Sequence, residues 1–119
     1  MILTIPLPEG EAKVHLSSYD LGPGNHTYST CVIHTPKQIV AGAAVKHPAD
    51  EEDPERGYKL AFSRALDQLY PSYKPLALKS LLLFPSAHKL IEQKDNENYE
   101  ARCSAWHFFR QELQKAMTL

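Results

Sequence analysis

Two periods of apolar residues divide the chain. In the first third, apolar positions alternate with polar ones, the pattern of half-buried strands; from about residue 54 they recur at helical spacing. Leu3, Ile5 and Leu7 share one face of a short run, and Ala12, Val14 and Leu16 share one face of the next. Between them Pro8-Glu9-Gly10-Glu11 has turn chemistry, with Gly10 able to take a positive φ. A hairpin closed there pairs Leu7 with Ala12, Ile5 with Val14 and Leu3 with Leu16, all on one face. Pro6 suits an edge strand or a strand end. Asp20-Leu21-Gly22-Pro23-Gly24-Asn25 reads as a loop. Tyr28 to His34 and Ile39 to Lys46 form a second predicted hairpin, joined by Thr35-Pro36-Lys37-Gln38. Its register sets Ile33 against Val40, Cys31 against Gly42 and Tyr28 against Val45, and carries His26 opposite His47. Ala41-Gly42-Ala43-Ala44, small residues inside a strand, predicts close approach of a helix.

Asp53 is a good N-cap, Pro54 suits the first helical position, and Glu55 favours the positive end of the dipole. Tyr58, Ala61, Phe62, Ala65, Leu66 and Leu69 then form a core-facing stripe that Tyr70-Pro71 stops. Leu60 lies off that stripe, with Arg56 and Arg64 one turn to either side. Leu76 to Phe84 is a buried helix or a buried strand, and the absence of β-branching in Leu81-Leu82-Leu83 favours helix. Pro85 breaks it, and Ser86 caps a short helical turn through Glu92. A last helix runs from about Glu97 to Met117, capped by Asp95 or Asn96, with Tyr99, Cys103, Trp106, Phe109 or Arg110, Leu113 and Ala116 as its stripe. Strands followed by helices predict a single α+β domain over residues 1–119: a four-stranded antiparallel sheet of two hairpins with about three helices packed on it.

Composition narrows the function classes. The 119 residues are 43% hydrophobic and 23% charged, globular values, and the net charge of −1 gives no overall signature for nucleic acid or an anionic membrane. No segment approaches the length of a membrane span, and Ile2 to Leu7 is too short and too interrupted for a signal sequence. With two cysteines and no C-x-x-C pair, the expected compartment is the cytosol, thiols reduced. Charge is segregated locally. Asp50, Glu51, Glu52, Asp53 and Glu55 form an acidic apron, whereas Arg56 to Lys94 holds seven basic and two acidic residues.

No phosphate-binding loop, dinucleotide fingerprint, zinc-protease helix or serine-hydrolase elbow occurs, and no cofactor is expected. Of six histidines, His26 and His47 are the pair that a strand register brings together, with Asp50 close in sequence; a metal site needs a third ligand. His107, beside Trp106, reads as a partly buried core-edge residue. Cys31 and Cys103 both read as small buried hydrophobes rather than nucleophiles. With Phe108 beside Phe109, either one ring leaves the core to meet another chain or the helix face is wide and buried.

One stretch resembles a pattern of small phage and mobile-element proteins. Gly42-Ala43-Ala44-Val45-Lys46-His47-Pro48-Ala49-Asp50 leads through Asp53-Pro54-Glu55-Arg56 to Gly57-Tyr58-Lys59-Leu60-Ala61 and Arg64-Ala65-Leu66. In that pattern a hairpin strand ends in a His- or Cys-Pro-x-Asp turn and enters a helix carrying G-x-x-x-A-x-x-R-A-L. The resemblance spans about a quarter of the chain and transfers no catalytic residue. It implies an accessory protein in the host cell cytosol, of a kind that binds and blocks a host factor. In topology, hairpin strands before a helix are also similar to the second half of a double-stranded RNA-binding domain. Those domains hold phosphates with lysines where this chain has Asp50 to Asp53 and Glu55.

Three functional readings follow. The first is a non-catalytic binding protein that inhibits a host defence protein or sequesters a small signal molecule. Its interaction surface is Leu60 ringed by Arg56, Lys59 and Arg64, with the Asp20 to Asn25 loop as a second rim. The second is a nucleic-acid-binding module using Arg56, Lys59 and Arg64. The third is a small metal-dependent enzyme built on His26 and His47. Self-association is compatible with each.

Overall fold

The alternating runs become strands in the computed structural model, which describes residues 1–47, 49 and 53–118. Strands β1 (Ile2–Leu7), β2 (Gly10–Asp20), β3 (Thr27–His34) and β4 (Ile39–Lys46) form one antiparallel sheet in the order β1-β2-β3-β4. The second hairpin has the expected register: Ile33 pairs with Val40, Cys31 with Gly42 and Tyr28 with Val45. Its turn is pinned by the Thr35 hydroxyl, which accepts the Lys37 and Gln38 amides at 3.2 and 3.0 Å. The first hairpin departs from expectation by two residues. Leu7 pairs with Gly10, Ile5 with Ala12 and Leu3 with Val14, because the turn is the two-residue Pro8-Glu9, with Gly10 at φ +129° already in the strand. A two-residue shift preserves the faces, so Leu3, Ile5, Ala12, Val14 and Leu16 are all buried.

Helix α1 (Pro54–Leu69) starts as its cap chemistry requires: the Asp53 carboxylate accepts the Arg56 amide at 3.2 Å. Its stripe is buried at Ala61, Phe62, Ala65, Leu66 and Leu69. A Cβ on Gly42 would collide with the Ala61 carbonyl and the Ala65 amide, so α1 rests directly on β4 there. A Cβ on Gly57 would collide with the Ser29 hydroxyl, so the start of α1 packs against the Ser29 side chain of β3.

Helix α2 (Lys74–Leu83) bears out the helical reading of the leucine run but not its burial: the small Ala77 and Ser80 are buried, and Leu76, Leu78, Leu81, Leu82, Leu83 and Phe84 are exposed. It breaks from α3 (Pro85–Met117) only at Phe84. The predicted second break near Asp95 does not occur. Asp95 accepts the Tyr73 amide at 2.6 Å, and Asn98 donates to the Pro71 carbonyl at 2.9 Å. These polar groups therefore tie the start of α2 to the middle of α3, and Ser86 lies inside the first turn of α3. Two helices rather than about three pack on the sheet: α1 covers β3 and β4, α3 reaches β1, and α2 packs on α3.

The α3 stripe is rotated from the predicted one. Ala105, Phe109 and Leu113 are buried, with Ala101, Trp106, Phe108 and Ala116 packed beside them, whereas Tyr99, Cys103 and His107 are exposed. Phe109 stacks on Phe62 at 3.8 Å, and Trp106 stands edge-on to both. Both phenylalanines thus join a wide buried face, and neither Cys103 nor His107 belongs to the core. Cys31 is buried as expected, and burial pushes its thiol up to about 12. Among the described residues no helix is long and apolar enough to cross a membrane. Pro48 and Asp50 of the turn, and Glu51 and Glu52 of the acidic apron, lie outside the described residues.

Candidate functional site

Where α1 begins, the helix-facing sides of the strand ends are polar or small. Ser18, Ser29 and Ala44 form one cross-strand row, and Thr27 with Lys46 lies in the next. With no large apolar side chain to fill the space, a groove of about 190 Å³ remains between these strand ends and the first turns of α1. Asp53, Arg56 and Leu60 line it from the helix side. The predicted loop leaves and re-enters the sheet beside the same end. It is closed by the Asn25 amide donating to the Gly22 carbonyl at 3.1 Å and by the Gly22 amide donating to the Asp20 carboxylate at 2.9 Å.

The structure separates the four residues predicted to form the surface. Arg56 is exposed and Leu60 is 42% exposed; both line the groove. Lys59 turns to Glu55 in an ion pair at 2.8 Å. Arg64 donates to the Ala43 carbonyl on the outer edge of β4, and Gln68 donates to the Ala41 carbonyl beside it. Arg64 is therefore an edge cap for the sheet. A phosphate-binding face of Arg56, Lys59 and Arg64 is not assembled, since two of the three cations are engaged within the chain.

His26 and His47 do meet, with ring centroids 5.3 Å apart and planes at 89°. The His47 Nδ1 accepts the Ala49 amide at 3.1 Å, which occupies one of its two ring nitrogens. Among the described residues no group of three or more His, Cys, Asp or Glu is placed to hold a metal ion. The titrations displaced by the fold belong to packing. Burial raises the Tyr70 hydroxyl, and its 2.7 Å hydrogen bond to Glu9 raises it further.

Lys46, Ser18, Thr27 and Ser29 were missed as groove residues by sequence reasoning. A signal existed: the helix-facing parity of β2, β3 and β4 turns from apolar to polar at Ser18, Ser29 and Lys46. The G-x-x-x-A-x-x-R-A-L stretch also gains a physical account. Gly57 and Ala61 are one turn apart and give α1 a flat face, Ala65 continues it over Gly42, Leu66 enters the core, and Arg64 caps the edge. These residues build the helix–sheet contact. No protein-family model, curated protein or solved structure matches the chain.

Proposed function

We propose that this is a non-catalytic binding protein, an accessory factor of a phage or mobile element. It grips and inhibits a host protein through the groove at the start of α1. The observation that supports a protein partner over a small signal molecule is size. At about 190 Å³ the groove falls below the roughly 300–1,000 Å³ of small-molecule sites and suits one large anchoring side chain. Leu60 supplies an apolar contact, and Arg56 and Lys46 supply cationic donors that make no ion pair among the described residues. Ser18, Thr27 and Ser29 bring hydroxyls that can meet a partner's backbone.

The test is an Arg56→Glu, Leu60→Asp double variant. Both positions are exposed, so the fold should be kept, as circular dichroism can verify. Affinity for the host protein recovered by the wild-type chain should fall about thirtyfold or more, the loss of roughly 2 kcal/mol that defines an interface hot spot. Retained affinity in a folded double variant would remove the groove from the interface. Arg64→Glu is unsuitable for this purpose, because it would release the β4 edge.

A further inference from the structure

Four polar side chains are buried among the described residues: Ser29, Thr35, Ser80 and Asn98. Buried polar groups are as a rule hydrogen-bonded, and three of these four are bonded within the chain. Thr35 donates to the Gln38 carbonyl at 3.1 Å, Ser80 to the Ala77 carbonyl at 2.7 Å and Asn98 to the Pro71 carbonyl at 2.9 Å. Ser29 is the exception. It is 7% exposed, and its hydroxyl has no hydrogen-bond partner among the described residues. What exposure it keeps is toward the groove at the start of α1, which it lines. Ser29 and Ala44 are the buried members of that lining and so form its floor. Gly57 makes room for the hydroxyl there, since a Cβ on it would collide with the oxygen.

We propose that the groove binds one carboxylate, the side chain of an aspartate or glutamate on a partner protein, with the Ser29 hydroxyl as the donor at its floor. The proposal rests on the reading of this groove as the binding site and adds what fills it. Charge is the support beyond Ser29. Lys46 enters from the end of β4 and Arg56 from the first turn of α1, and neither makes an ion pair among the described residues. Asp53 is the one acid in the lining, and its carboxylate accepts the Arg56 amide as the helix cap. The lining therefore carries a net charge of +1, the complement of a single carboxylate and not of a phosphate dianion. Other charged groups near this end of the fold are engaged elsewhere: Glu55 with Lys59 at 2.8 Å, Asp20 with the Gly22 amide at 2.9 Å, and Arg64 with the Ala43 carbonyl. Asp50, Glu51 and Glu52 lie outside the described residues and enter the test below. The backbone decides the source of the carboxylate. A chain's terminal carboxylate is captured by unpaired main-chain amides. Here Pro54 has none, and those of Arg56 and Gly57 bond to Asp53. Side-chain donors remain, and exposed Leu60 at the rim meets an apolar neighbour of the acidic residue.

The probe is a library of random dodecapeptides panned on the immobilised full chain. Each is fused through its C-terminus to a phage coat protein, so no terminal carboxylate is free. Recovered peptides should share an Asp or Glu beside an apolar residue. A recovered peptide is then made with a C-terminal amide, in its acidic form and with the acid replaced by Asn or Gln, and both are titrated by calorimetry. The replacement should weaken binding about tenfold or more. Ser29→Ala, Lys46→Gln and Arg56→Gln, each with the wild-type circular dichroism spectrum, should weaken the acidic form about fivefold and leave the amide form within about twofold. A purely structural role for Ser29 would weaken both forms alike and overturn its part. Asp50→Asn with Glu51→Gln and Glu52→Gln should bind the acidic form at least as tightly as wild type; weaker binding would overturn the charge match. Peptides without a shared acid, equal affinity of the two forms, or no recovered peptide overturn the proposal. Tighter binding when phosphoserine replaces the acid would assign the groove to phosphate instead. Acidic peptides bound by a chain that recovers no host protein would sink the host-factor reading alone. A host protein that the Arg56→Glu, Leu60→Asp variant loses, without any preference for acids, would sink the carboxylate alone.

Discussion

Gly42 is where the helix layer and the sheet layer meet most closely, and replacing it tests the architecture directly. Gly42→Ala places a Cβ against the Ala61 carbonyl, the Ala65 amide and, at 3.0 Å, the Arg64 Cβ. Two of these are helix backbone and cannot rotate away, so α1 must lift from β4 or the strand must bow. Overpacking of a tight core contact costs roughly 1–3 kcal/mol, and backbone obstacles place this case near the upper end. Alanine regains roughly 0.5–1 kcal/mol over glycine in an extended segment through the unfolded chain's entropy. The net expectation is a loss of about 2 kcal/mol. For a chain of this length that corresponds to a fall in Tm of about 8 °C. In urea, with a slope of about 1.5 kcal/mol/M, the midpoint should drop by about 1.3 M. Ala43→Val is the control. Its side chain lies on the open face of the sheet, so its effect should stay within about 0.5 kcal/mol. A Gly42→Ala midpoint within about 0.3 M of wild type, at unchanged slope, would show that α1 does not bear on β4 at this point.

Three further outcomes follow from local chemistry. Asp53→Ala should lose about 1 kcal/mol by leaving the Arg56 amide without its cap, and Asp53→Asn should retain most of it; equal melts for wild type and Asp53→Ala would remove the cap from the account. A maleimide at neutral pH should label exposed Cys103 in the folded chain and reach Cys31 only on unfolding; equal labelling rates would contradict the burial of Cys31. The Cys31 thiol holds its proton up to about 12 when folded but releases it at its ordinary 9.0 when unfolded. Its contribution is therefore complete below pH 9 and is lost as pH rises toward 12, by up to about 1.4 kcal/mol per pH unit. Cys31→Ala should flatten the fall in stability over that interval, and an unchanged slope would count against the shift.

Most of the sheet and all of α1 were legible because their signals are local. The parity of Ile33, Cys31 and Tyr28 against Val40, Gly42 and Val45 sets one register, and Asp53-Pro54 sets one helix start. The first hairpin was misregistered by two residues because either a two- or a four-residue turn keeps the same faces. The continuity of α3 was hidden for a different reason. Lys94-Asp95-Asn96-Glu97-Asn98 resembles a cap, but no glycine or proline enforces a stop, and the propensity penalties are only tenths of a kcal/mol each. The partners of Asp95 and Asn98 are Tyr73 and Pro71, more than twenty residues away, so the choice is made by tertiary hydrogen bonds. Of the site, Arg56 and Leu60 were legible as off-stripe positions on a helix. Arg64 shares that pattern, but its engagement with the Ala43 carbonyl depends on the register and height of a strand that helical spacing does not encode.

The two edges of the sheet decide which kinds of contact are left to this molecule. A partner that adds a strand needs a row of unpaired backbone groups. On β4 the outward carbonyls of Ala41 and Ala43 already accept Gln68 and Arg64, side chains one turn apart on α1. On β1 the strand is only six residues long and contains Pro6, which has no N–H to offer. Backbone pairing is therefore blunted at both edges by residues local to each. Contacts through side chains remain, and the chain keeps its exposed leucines on α2 and, beside the start of α1, the cations Arg56 and Lys46, which make no ion pair among the described residues, at sites with different chemistry. The first is apolar. The second is a small mixed groove of about 190 Å³, lined by Arg56, Leu60 and the polar strand ends.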